Sequence, residues 1–278
     1  MEFRHAICNE AFEKWDFTEA CRTMKRLGYQ GIEIAPFTLA SDPLEVSSAR
    51  RKELKEIMAG EGLSFVGLHW LMVCPKTLHV TTPDEALRSA SWEHVRNLID
   101  LCADLGPNGV MVFGSPKQRS ATGGISVAEA TRNYVDGLRS VAPHAEQRGV
   151  KILIEALPRE QTDVVLTLDE AVAHVKSIGS PAIQTMFDTH NAVDEVIPHA
   201  DLIERHFEWI RHVHVNENDG RHPGTADYDF VSVFRRLHQL GYQGWISMEA
   251  FDFSPGAEVL AKESIDYLNR KIEEALNS

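Results

Sequence analysis

Eight short apolar runs divide this chain into units of similar length, at residues 3–9, 31–36, 65–70, 109–115, 151–157, 183–189, 210–216 and 244–250. Each run has the length of a strand. The segments between them place apolar residues three and four apart, as in Thr18-Glu-Ala-Cys-Arg-Thr-Met-Lys-Arg-Leu27 and Ser91-Trp-Glu-His-Val-Arg-Asn-Leu-Ile-Asp-Leu-Cys102, the stripe of an amphipathic helix. Strands that alternate with helices pair in parallel, because the helix carries the chain back to the start of the next strand. Eight such units in 278 residues favour a closed (β/α)8 TIM barrel over an open doubly wound sheet.

The whole chain, 1–278, reads as one barrel domain. Ser120-Ala-Thr-Gly-Gly124 is too short for a domain linker and falls inside a strand-to-helix connection. The pentapeptide Leu27-Gly-Tyr-Gln-Gly31 returns as Leu240-Gly-Tyr-Gln-Gly244, in both places between a helix and a strand. A recurring turn explains it as well as duplication does. The connections 71–90 and 116–127 are long, and in a barrel they rise over the C-terminal face as lids.

With 28 Lys and Arg against 41 Asp and Glu, the formal charge is −13, which repels a phosphate backbone and disfavours nucleic acid as a partner. No apolar run approaches the roughly 20 residues that span a bilayer. Met1-Glu-Phe-Arg-His5 lacks the layout of a signal peptide, so a cytoplasmic location is expected. Cys8, Cys21, Cys74 and Cys102 form no CxxC pair, and free thiols are the expectation.

The last four runs each close on a metal-ligand type: Lys151-Ile-Leu-Ile-Glu155, Gln184-Thr-Met-Phe-Asp188, Arg211-His-Val-His214 and Trp245-Ile-Ser-Met-Glu249. An ionisable group at the end of an apolar strand is costly to bury unless it is compensated, and one cation compensates several at once. The spacings of 33, 26 and 35 residues are each about one βα unit, which sets all four at the mouth of the barrel. Singly, an acid after a strand is often the next helix cap, and a histidine is often a satisfied core residue. Three carboxylates and an imidazole suit Mn2+ first, with Mg2+, Co2+ or Zn2+ as alternatives, and are less typical of a structural zinc site.

The runs Ile154-Glu155, Phe187-Asp188-Thr189, His212-Val-His214-Val-Asn-Glu-Asn218 and Met248-Glu249 resemble the metal-binding strand ends of the xylose isomerase-like barrel superfamily. The spacing is closest to its ketose 3-epimerases of the tagatose and psicose type. This resemblance implies one divalent ion on Glu155, Asp188, His214 and Glu249, with Glu155 and Glu249 also serving as the acid/base pair. It implies a sugar or polyol ketone as substrate and a homodimer or homotetramer as the assembly. The corresponding chemistry is proton abstraction next to a carbonyl, with the charge spread into an enediolate. Epimerase and aldose–ketose isomerase are both open on this reading.

Secondary candidates for substrate contact are Glu33 on strand two, His69 beside Trp70 at the end of strand three, Arg159, His190 and Arg221. Glu33 is equally readable as an ion-paired strand residue, Trp70 as core, and the arginines as surface charges. The chain departs from the epimerase pattern at three positions. Asn191 stands where a histidine is usual, with His190 just before it, Gln161 replaces a glutamate, and Ala226 replaces the second glycine of a Pro-Gly-x-Gly pattern. A lyase dehydrating an inosose or dehydroshikimate-like polyol is the runner-up, since it needs the same enolate. An endonuclease IV-like hydrolase fits less well: that resemblance implies a histidine on strand four, and Gly109-Val-Met-Val-Phe-Gly-Ser115 has none. A sugar-binding barrel without turnover is the non-catalytic alternative. Gly114 and Gly123-Gly124 lack the context of a phosphate-cradling loop.

Overall fold

A computed structural model describes residues 3–277; Met1, Glu2 and Ser278, the ends of the expected 1–278 domain, lie outside the described residues. The chain runs β1 (Arg4–Cys8), α1 (Phe17–Leu27), β2 (Gly31–Ile34), α2 (Ser48–Gly60), β3 (Ser64–Leu68), α3 (Glu85–Leu105), β4 (Val110–Phe113), α4 (Pro116–Arg119) and α5 (Val127–Arg148). It continues through β5 (Lys151–Ile154), α6 (Leu168–Ile178), β6 (Ile183–Asp188), α7 (His199–His206), β7 (Ile210–Val215), α8 (Phe230–Gln239), β8 (Trp245–Met248) and α9 (Ala257–Asn277). All eight strands pair in parallel in chain order, and β1 closes on β8 through Ile7 opposite Met248.

Alternation along the strands makes two cores. Residues such as Ile32, Ile34, Met111, Ile152 and Ile154 pack outward against the helices, while Ala6, Val66, Val110, Val112, Leu153 and Met186 fill the barrel itself. The same period of two then leads out of the packed interior to the mouth. Leu153 is followed by Glu155, Met186 by Asp188, His212 by His214 and Ser247 by Glu249. The barrel's own packing rule therefore aims these four side chains inward.

The strands stop one to three residues short of several apolar runs. Asp188 and His214 are within β6 and β7, whereas Glu155 and Glu249 lie one residue beyond β5 and β8. The connection expected at 71–90 gives its last six residues to α3, which begins on an Asp84 cap accepting from the Ala86 and Leu87 amides. The remainder is tied to the 116–127 connection: Val80 N–H donates to Gln118 O at 2.8 Å, and the Thr81 hydroxyl to Ser120 O at 2.7 Å. Both long connections thus form one joined rim. The four cysteines are free thiols. No described helix is long and apolar enough to cross a membrane.

Candidate metal centre and cavity

Register places Asp188 of β6 directly beside His214 of β7, just past an irregularity between Thr185 and Phe187 that re-aims the end of the strand. One donor atom from each of Glu155, Asp188, His214 and Glu249 lies within 4.8 Å of all the others, and all four residues are buried. His214 Nδ1 is 3.5 Å from Asp188 Oδ2 and 3.2 Å from Glu249 Oε2. Its other nitrogen, Nε2, is 3.0 Å from Glu33 Oε1, and Glu33 Oε2 is 2.8 Å from His212 Nε2. A carboxylate behind the ring fixes which nitrogen carries the proton and leaves Nδ1 for a cation.

The electrostatics describe a site short of positive charge. Burial, then Asp188 and Glu249, push the Glu155 carboxyl up to about 8. Burial also works to raise Glu249, but His214 outweighs it and the pKa falls below the usual value. For His214 burial opposes the charge, and Glu33 with Glu249 overcome it, so its pKa stands well above the ordinary range. Glu33 is held well below the carboxylate range by His214 and His212 in spite of its burial. Asp188 Oδ2 and His214 Nδ1 are buried and make no hydrogen bond. Two orphaned donors facing one another, in an oxygen-rich set of four, fit a divalent cation held in common.

Above this cluster opens a cavity of about 240 Å³, lined by Glu155 and Glu249 together with His69, Trp70, Gly114, Gln161, Asn191 and Phe251 among others. Asn191 donates from Nδ2 to Glu155 Oε1 at 2.9 Å and from its backbone N–H to Asp188 Oδ1 at 2.8 Å, and its own carbonyl oxygen accepts from Gln161 at 3.3 Å. The Trp70 indole donates to Glu249 Oε1 at 2.8 Å from a left-handed backbone, φ 52°, that a non-glycine residue adopts at some cost. Each glutamate is thus steered by a neutral donor on its own side of the cavity.

The remaining sequence candidates separate. His69 lines the cavity, with Nε2 2.7 Å from Glu10 Oε1 and Nδ1 3.6 Å from Glu33 Oε1. Glu33, expected to contact substrate, is wholly enclosed, pairs with His214 and His212, and is not itself among the residues that line the cavity. Arg159 and Arg221 are exposed and lie outside the lining. Arg221 is occupied by Asp219 at 2.7 Å and by Thr225 O at 3.1 Å, while the Arg159 backbone is anchored by Asp194. His190 sits at the rim, its Nδ1 2.7 Å from Asn218 O and its ring edge-on to Phe251 at 5.4 Å.

Sequence reasoning missed three contributors. Asn191 and Gln161 registered only as departures, yet they brace Glu155. Gly114 registered only as a poor phosphate loop, yet a Cβ there would lie 2.1 Å from Glu155 Oε2. A signal for it existed: Gly114 occupies the inward position after β4 that Glu155 and Glu249 occupy after their own strands.

Comparison with known proteins agrees with this architecture. The chain is 26% identical over 187 residues to a ketose 3-epimerase of Arthrobacter globiformis, covering 66% of this chain and 63% of that protein, a little under two thirds of its length. It is 27% identical over 229 residues to an L-ribulose 3-epimerase of Methylomonas sp. strain DH-1, covering 81% of this chain and 75% of the relative. The crystal structure of a D-psicose 3-epimerase with D-tagatose, from Clostridium cellulolyticum H10, superposes with a TM-score of 0.84 at 21% identity, covering 97% of this chain and 99% of that one, which speaks to the fold. The family model of the xylose isomerase-like TIM barrel matches residues 21–271, and the chain belongs to that family.

Proposed function

We propose that this protein is a divalent-cation-dependent epimerase or isomerase of a sugar or polyol ketone, with Glu155 and Glu249 as its acid/base pair. One observation carries the reading: both glutamates belong to the four-donor cluster and also line the cavity directly above it. A divalent ion held by Glu155, Asp188, His214 and Glu249, Mn2+ first by its donor set, supplies electrostatic stabilisation for the charge that develops on a carbonyl compound as its neighbouring carbon loses a proton. Glu155 and Glu249 approach the cavity from β5 and β8, so one carboxylate takes a proton while the other returns one to the opposite face. Asn191 and Trp70 hold the two carboxylates in place, and His69 and Gln161 offer polar contacts to hydroxyls. The relatives named for ketose and L-ribulose 3-epimerisation support this class of substrate.

Incubating the Mn2+-loaded protein with a panel of ketoses and polyol ketones in D2O should place solvent deuterium on a carbon next to the carbonyl. Glu249→Gln should slow that exchange by at least about 100-fold, the usual contribution of a positioned base. Loss of water from the substrate with no exchange into recovered substrate would assign the site to the lyase class instead. No reaction with any member of the panel would sink the proposal.

A further inference from the structure

Beside the four-donor centre a second group of ligand-type side chains gathers around Cys8, and of its members His69 alone lines the cavity. Cys8 ends β1, Glu10 follows two residues later, and His69 follows β3. One donor atom from each lies within 4.8 Å of the other two, and all three residues are buried, His69 to 1% exposure. Glu10 Oε1 pairs with His69 Nε2 at 2.7 Å, while His69 Nδ1 and Glu10 Oε2 are buried and complete no hydrogen bond. The Cys8 thiol has the Ser247 hydroxyl at 3.6 Å. Two buried polar atoms left unsatisfied beside one thiol repeat the signature of Asp188 Oδ2 and His214 Nδ1.

We propose that Cys8, Glu10 and His69 form a second cation site, distinct from the four-donor centre, that takes a thiophilic divalent ion of the zinc type. One sulfur, one nitrogen and one oxygen are the ligand types zinc binds, and three protein ligands leave a fourth position for water. Tetrahedral nitrogen and oxygen ligands stand about 3.4 Å apart, so the Glu10–His69 contact needs to open by less than about 1 Å. His69 lines the cavity, which gives the ion a route from solvent. Binding balances as Cys–SH plus M2+ giving Cys–S–M+ plus H+, with the proton released to solvent. Oxygen-rich and sulfur-containing sites within one barrel mouth would then select different metals. Glu33 lies between them, 3.0 Å from His214 and 3.6 Å from His69, so one carboxylate links a histidine of each site.

Titration of the metal-stripped protein with Co2+ tests this, followed by near-ultraviolet absorbance for thiolate-to-cobalt charge transfer and by elemental analysis. Two ions per chain and a charge-transfer band are expected. Cys8→Ser should abolish the band and remove one ion, and Glu10→Gln should weaken the same site at least tenfold with the thiol intact. Asp188→Asn should remove the other ion and keep the band, which separates this site from the reading of the four-donor centre. No band in the wild-type protein, or a band that survives Cys8→Ser, overturns the proposal. A band lost in Cys8→Ser but unmoved in Glu10→Gln overturns the three-ligand assignment.

Discussion

Glu33 shows what one residue's surroundings decide. On the sequence it was an acid on strand two, equally readable as pocket-facing or ion-paired. Alternation with the outward-packing Ile32 and Ile34 faces it into the interior, where both of its oxygens meet histidines. The alternation points the side chain inward, but the two histidines that meet it come from β7, which no local pattern on β2 records. The strand-end cluster was legible for the opposite reason: a polar group closing an apolar run has few inexpensive explanations, and four of them share one period. Arg159 and Arg221 were not legible, because Asp194 and Asp219 fix their loops through contacts that only the folded backbone creates. Glu33→Gln keeps the size of the side chain but removes its charge, so it weakens the hold on the His214 tautomer. Affinity for Mn2+ should fall about 10- to 100-fold, the usual cost of losing a supporting carboxylate, as read by competition with a chelator. Equal affinity in the two proteins would mean that Glu33 serves folding alone.

Among the elements, the count and order of strands were readable and their ends were not. Apolar runs continue past the last paired residue because side chains beyond the sheet still pack in the mouth; Leu157 is buried three residues after β5 ends. The two long connections were legible as segments, but their mutual hydrogen bonds join stretches far apart in the chain, which local pattern does not reveal. The approach of β4 to β5 shows how closely elements are fitted at the site. Phe113 pairs with Ile154 in register, so the next residues, Gly114 and Glu155, rise side by side, and the glutamate carboxylate occupies the volume a Cβ on residue 114 would need. Gly114 lies outside the left-handed region, so alanine there brings a steric change without a backbone penalty. Gly114→Ala should therefore leave thermal stability within about 1 kcal/mol in the presence of chelator, since the far end of the Glu155 side chain can shift at the expense of its one hydrogen bond to Asn191, while lowering Mn2+ affinity and D2O exchange together at least tenfold. Calorimetry with chelator, set beside metal titration, separates the two effects; a large stability loss with unchanged metal affinity would contradict this account.

At the scale of the whole molecule, closure hides imidazoles that are neutral in the fold, and this sets how stability responds to acid. His5 on β1 is 6% exposed, its Nδ1 has no partner, and burial lowers its pKa to about 4 from an ordinary 6.5. An unfolded chain takes up a proton at residue 5 as pH falls through 6.5, whereas the barrel refuses it until about 4. Between these values the unfolded state binds more protons, so stability rises with pH and is lost on acidification across that window. Full loss at this one residue amounts to at most roughly 3 kcal/mol. His94 and His199 are also lowered by burial and add to the slope with the same sign. The comparison that isolates His5 is wild type against His5→Gln, both with chelator so that metal binding does not contribute. Urea unfolding at pH 7 and at pH 4.5 should show wild type losing about 2 kcal/mol more than the variant over that interval. Parallel loss in the two proteins would move the acid sensitivity to other buried groups and leave His5 as packing only.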